Sequence, residues 1–137
     1  MNNLKALEVI QKAVASTSNE IEIGYNESLD FSVGASMLNR QASDKTIKVP
    51  ALSLDEVLKT YHVDVCELLK VDCEGAEYDI LLNTSKGTYA RINHVVIELH
   101  DWVPKEIGVP NDLKAKLEQN GFKVKIRKNE ILVASKA

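Results

Sequence analysis

Cysteine is scarce: Cys66 and Cys73 are the two in a chain of 137 residues. Both lie in or beside one strand-like stretch, "CELLKVDC", on opposite sides of its pleat by parity, so they are poorly placed to form a disulfide. No second Cys/His pair stands at ligand spacing, which argues against a zinc site. Both thiols read as buried and free. An excess of positive charge is also missing. Seventeen Lys and Arg stand against twenty Asp and Glu, for a formal charge of −3, which argues against a nucleic-acid or membrane-surface binder. No apolar run approaches the ~18–20 residues of a membrane span, and the start, "MNNLKALEVIQK", lacks the apolar core of a signal peptide. These absences point to a cytoplasmic protein. Internal repeats and low-complexity segments are absent as well.

What is present is ordinary for one globular domain with a single core: 45% apolar and 27% charged residues, within the usual range. "ALEVIQKAVA" reads as a strand, Leu7 to Val14, with a short helix as competitor. "NEIEIGYN" alternates like a half-exposed strand. Residues 27–45 are rich in Ser, Gly, Asn and Asp and read as a loop. "TIKVPAL" is a short strand that Pro50 places near an edge or a strand end. Ser53 and Glu56 make a capping box before the helix in "SLDEVLKTYH". Then come a strand in "CELLKVDC", a helix in "AEYDILLNTSKGTYARI" that frays near Gly87, and a strand in "HVVIELHD". A helix follows in "PNDLKAKLEQNGF", with Asn111 as N-cap and Gly121 as its stop. A hairpin turning near Lys128 and Asn129 closes the chain. This order predicts an α/β sheet, parallel except for its final strand. "VVIEL" has the composition of a central strand covered on both faces.

Ligands of open parallel sheets sit beyond the carboxyl ends of the strands. Two strands here end in polar clusters: Asp72, Cys73, Glu74 and Gly75 after one; Glu98, His100 and Asp101, with Trp102 behind them, after the other. If the strands are neighbours, both clusters face one crevice. Glu74 and Glu77 also suit a helix start, where the macrodipole favours carboxylates. Glu77 and Asp79 are expected mainly on a solvated face. Asp72 and Glu98 each follow an apolar strand and are the stronger site candidates. His100 fits either a hydrogen-bonded structural role or a general base. His62 and His94 precede strands at the other end of the sheet and read as structural. No dedicated metal-ligand set is assigned, although Asp72 and Glu98 leave open a hard cation bridged to a substrate.

"VDVCELLKVDCEGAEYDILLN" followed by "INHVVIELHD" resembles the FkbM family of S-adenosylmethionine-dependent methyltransferases. The family pattern is a strand, a D-x-E-G-A-E turn, a helix, and a strand ending in E-x-H or a similar polar pair. Asp72, Glu74, Gly75, Ala76 and Glu77, then Glu98 and His100, stand at those positions. "VPALSLDEVL" is similar to the family's lead-in, and "VIQKAVASTSNEIEI" to the segment before it. The resemblance implies a class I methyltransferase (Rossmann-like) sheet of order 3-2-1-4-5-7-6, with "VIQKAVA", "ELLKVD" and "VVIEL" as third, fourth and fifth strands and the hairpin as sixth and seventh.

The resemblance also implies the chemistry: S-adenosylmethionine as cofactor and methyl transfer to an oxygen nucleophile on a small molecule or a sugar. Asp72, Glu98 and His100 would be the catalytic residues, with Asp72 or His100 deprotonating the hydroxyl and Glu98 positioning the acceptor. Lys12, Ala13, Val14, Asp72 and Glu74 would touch the cofactor. The family's glycine-rich loop and its ribose-binding acid have no counterpart, and Gly24 and Gly34 lie in the wrong context. The expectation is one FkbM-like domain over residues 1–137, abbreviated at its N-terminus by two strand–helix units, ~60 residues or more. The competing reading is a non-catalytic α/β assembly module or a truncated gene product. In either case the exposed edge left by the absent first strand favours a homo-oligomer.

Overall fold

The computed structural model describes residues 7–25, 45–128 and 130–136. Most of the loop expected over 27–45, and Asn129 in the final turn, lie outside the described residues. Seven strands and four helices follow in order: β1 (Ala13–Val14), β2 (Asn19–Tyr25), β3 (Lys45–Leu52), α1 (Leu54–Thr60), β4 (Cys66–Val71), α2 (Glu77–Asn83), α3 (Lys86–Ala90), β5 (Ile92–Glu98), α4 (Pro110–Gln119), β6 (Phe122–Arg127) and β7 (Ile131–Lys136). They form two mixed sheets, a three-stranded one of order β1-β3-β2 and a four-stranded one of order β4-β5-β7-β6. No described helix is long and apolar enough to cross a membrane.

The class is α/β as expected, but the pairing is not mostly parallel. β1–β3 and β4–β5 are parallel, whereas β2–β3, β5–β7 and β6–β7 are antiparallel. A parallel neighbour needs a long crossover, whereas a hairpin closes in a few residues. In the four-stranded sheet only the β4–β5 step carries such a crossover, through α2 and α3. The order β4-β5-β7-β6 is the one the resemblance implies for the last four strands.

Local chemistry explains most element ends. Ser53 Oγ accepts from the Glu56 amide and Glu56 Oε2 accepts from the Ser53 amide at 3.1 Å, the capping box that the sequence shows. α4 begins two residues earlier than expected. Val109, not Asn111, is its N-cap; Pro110 takes the first helical position, where it lacks nothing the helix needs. The Val109 amide donates to Asp112 Oδ2 at 2.9 Å. The long helix expected after Ala76 is two helices. Thr84 turns its hydroxyl back onto the Ile80 carbonyl at 2.8 Å, and Ser85 caps a new helix by accepting from the Thr88 amide. Gly87 is therefore inside α3, and the break falls before it. The Tyr89 hydroxyl then ties α3 to α2 through the Leu81 carbonyl at 2.6 Å.

The strand expected over Leu7 to Val14 shrinks to Ala13–Val14. β3 is longer than expected and central, yet β1 pairs only with its Ala51 and Leu52. Pro50 stands opposite Glu20 of β2, and among the described residues no strand pairs with it on the β1 side of β3.

The core lies on one face of the four-stranded sheet. Val71, Val95, Ile97, Leu132 and Ala134 meet Tyr78, Ile80, Leu81, Leu113 and Leu117 from the helices. Each fully buried Leu contributes roughly 1.5–3 kcal/mol. The alternate positions face the other way. Leu68 is 60% exposed, His94 is exposed, and Val96 and Val133 are half-buried. β5 is central, but among the described residues it is covered on one face, not both. His94 sits within β5 rather than before it.

Candidate functional site

β4 leaves the sheet through a turn with two left-handed residues, Glu74 at φ 46° and Gly75 at φ 94°. Glycine takes this conformation freely; for Glu74 it costs of order 1–2 kcal/mol. The turn aims the Gly75 amide at Glu77, which accepts through Oε2 at 2.9 Å. Glu77 Oε1 accepts from the His100 amide at 3.2 Å and faces His100 Nδ1 at 2.9 Å. The Glu77 side chain is 0% exposed. The expectation of a solvated Glu77 therefore fails. It sits on the first turn of α2 but points inward, where three donors replace the water it has lost.

The register Val71↔Ile97 sets Asp72 beside Glu98, one residue on from each strand's inward-facing position. His100 follows with the parity of Glu98. One donor atom each from Asp72, Glu98 and His100 lies within 4.8 Å of the other two. The three residues expected to share a crevice are thus together, at the carboxyl ends of adjacent parallel strands.

Lys70, two residues back on β4, reaches Asp72 Oδ2 at 2.7 Å. Its ammonium holds the Asp72 carboxyl below the ordinary aspartate range, and Asp72 in turn raises Lys70. Glu74 Oε2 stands 3.7 Å from His100 Nε2 at the rim. Trp102 meets the imidazole edge-on, with ring centroids 5.9 Å apart. Beside them, a cleft of about 260 Å³ is lined by Tyr78, Leu99, His100, Asp101, Val103 and Gly108, among others. Burial pushes the Tyr78 hydroxyl up to about 12, so it stays protonated at neutral pH. Cys73 and Cys66 are both free and half-buried. Burial raises both thiols, which makes them poor nucleophiles.

Ala13 and Val14 form β1 of the other sheet, and Lys12 directly precedes it. Lys12 and Ala13 line a cleft of about 640 Å³ with Ile23, Ile47 and Pro50, a lining that includes neither Asp72 nor Glu74. Val14 packs against the main core. The two regions are joined by Asp79, whose Oδ2 accepts from the Ser16 amide at 3.1 Å. Asp79 is therefore a tether as well as a helix-surface residue.

Glu77 is the residue that sequence reasoning misplaced. The available signal was its spacing from Gly75: two residues beyond a left-handed glycine, a side chain can turn back onto that glycine's amide.

A family model described as the Methyltransferase FkbM domain matches residues 3–124. The methyltransferase sdnD of Sordaria araneosa is 31% identical over 86 residues, covering 57% of this chain and 32% of that protein. The AMB antimetabolite synthetase AmbE of Pseudomonas aeruginosa is 32% identical over 80 residues, 58% of this chain and 4% of that protein. The chain thus spans a third or less of these relatives. No solved structure matches it.

Proposed function

The chain belongs to the FkbM methyltransferase domain family, and on that premise we propose that it contributes the acceptor side of a methyl transfer from S-adenosylmethionine to an oxygen nucleophile on a small molecule or sugar. The observation that carries this reading is the convergence of Asp72, Glu98 and His100 at the carboxyl ends of β4 and β5. The donor set suits the cofactor, since carboxylates favour its positive sulfonium and amino groups, and Asp72 and Glu74 are the residues to hold it. When bound, the cofactor supplies an electrophilic methyl group.

The chain's own residues prepare the acceptor. Glu77 fixes the imidazole through Nδ1, so His100 presents Nε2 toward the crevice; an orienting acid behind a histidine is the arrangement that holds a base in its working tautomer. Glu98 and Asp72 accept hydrogen bonds from the hydroxyl and set its angle. The buried side chains of Val103 and Tyr78 wall the neighbouring cleft.

Two measurements test the reading. In methyl transfer by a longer relative that carries the same residues, His100→Ala and Glu98→Gln should each lower kcat by ~10²–10⁴-fold; unchanged rates overturn it. Calorimetric titration of this chain with S-adenosylmethionine and its demethylated product should show weak binding, because the sequence has no Gly-x-Gly stretch to approach the cofactor. Micromolar binding would show that another segment supplies that contact.

A further inference from the structure

We propose that Asp72, Glu98 and His100 form a binding site for one divalent cation, held by two carboxylate oxygens and one imidazole nitrogen. The three donor atoms lie within 4.8 Å of one another. Two donors on one ion, at ~2.1–2.5 Å each, stand no more than ~4–5 Å apart, so small side-chain rotations suffice.

The strongest support is outside the triad. Of the imidazole's two nitrogens, Nδ1 faces the wholly buried Glu77 carboxylate at 2.9 Å. A carboxylate accepts, so Nδ1 carries the proton facing it, and in the neutral imidazole the lone pair is left on Nε2. A buried acid behind a histidine is the outer-shell arrangement that fixes the tautomer and raises the basicity of a metal-ligating imidazole. Glu77 is itself fixed by the Gly75 and His100 amides, so the histidine ring has little freedom to leave that orientation.

The charge pattern agrees. Asp72 already holds a cation, the Lys70 ammonium at 2.7 Å. The Lys70 side chain is 60% exposed, and such surface pairs are weak, so Lys70 can swing into solvent when a doubly charged ion arrives. Mixed carboxylate and imidazole donors suit Mn²⁺, Fe²⁺ or Zn²⁺ better than a purely oxygen-seeking ion. Three protein donors leave coordination positions open on the solvent side for water or for the oxygens of an acceptor. The catalytic use of the ion rests on the methyl-transfer reading, and there His100 would act as a ligand rather than as a base. The binding itself does not rest on that reading.

The test is titration of the whole chain with Mn²⁺ alone, followed by loss of the free-ion electron paramagnetic resonance signal, with no cofactor or acceptor present. One ion per chain should bind. Asp72→Asn and Glu98→Gln, both at exposed positions, should each weaken it at least tenfold. Glu77→Gln should weaken it ~10–100-fold, and Lys70→Met should tighten it. All variants are compared by circular dichroism, so a failure of Glu77→Gln to fold leaves the other three to decide. Absence of binding below ~1 mM in both the parent and Lys70→Met overturns the site. So does binding that Asp72→Asn and Glu98→Gln leave unchanged. Either result would remove the cation and leave the methyl-transfer reading standing.

Discussion

Glu77 and His100, 23 positions apart in the chain, meet through a 2.9 Å contact between Oε1 and Nδ1 in which the acid is wholly buried. The pair locks the end of β5 to the start of α2. Glu77→Gln should lower unfolding stability by about 1–3 kcal/mol, the cost of mismatching buried hydrogen-bond partners. Asp72→Asn, at an exposed position, should leave the urea midpoint near that of the parent. A Glu77→Gln midpoint equal to the parent's would show that the contact carries no stability.

Asp72 should titrate below its ordinary value of 3.8, because the Lys70 ammonium favours the charged form. A lowered carboxylate contributes stability that is present above the unfolded value and is lost as pH falls through the folded one. The window is thus below about pH 4, and at this exposed position its size is cut by solvent and salt. Carbon-detected NMR of the Asp72 carboxyl should give the low midpoint, and Lys70→Met should move it upward. An unmoved midpoint would mean that the lysine does not hold the charge in solution.

Gly108 closes the cleft against α2. A Cβ there would stand 3.0 Å from Tyr78 Cδ1 and 3.1 Å from Leu82 Cδ1. Gly108→Ala should therefore cost about 1–3 kcal/mol by overpacking, read as a lowered melting temperature. A melting temperature unchanged within error would show that the loop carrying Gly108 yields at no cost.

Self-association should run through β4. It is the end strand of its sheet, and among the described residues its outer edge has no paired strand, while Leu68 and Val65 are 60% and 59% exposed. An open edge with apolar side chains is a template for another strand. Light scattering after size exclusion should report a dimer or larger species, and Leu68→Lys should shift it toward monomer. A monomeric parent at micromolar concentration would sink the idea.

The sequence showed those elements whose determinants are local. The Ser53–Glu56 capping box, the alternation in "NEIEIGY" and the apolar run of β5 each put the element close to where it lies. The convergence of Asp72, Glu98 and His100 was legible too, because parity along two neighbouring strands fixes which residues share a strand end. Glu77 was not. Its place on the first turn of α2 fits a solvated carboxylate equally well, and only the return of β5 with His100, 23 residues on, supplies the buried partner. The split between α2 and α3 was hidden for a similar reason: Thr84 and Ser85 are tolerable inside a helix, and the turn is fixed by the tertiary bond from Tyr89 to Leu81. The one-sided cover of β5 could not be read from its composition, since a strand apolar at most positions looks the same whether one face is covered or both.

Every buried member of the main core cluster lies between Leu54 and Ala134, and among the described residues before Leu54 Val14 is the one partly buried apolar side chain that packs against it. The three-stranded sheet therefore adds little to the cooperative unit formed by the rest. Its amides, over 19–25 and 45–52, should exchange with solvent through local opening while those of β5 and β7 wait for global unfolding. In kinetic terms the molecule should behave as a slow-exchanging body with a fast-exchanging flap, and the hydrogen bond between Ser16 and Asp79 is one of the points where the flap is fastened.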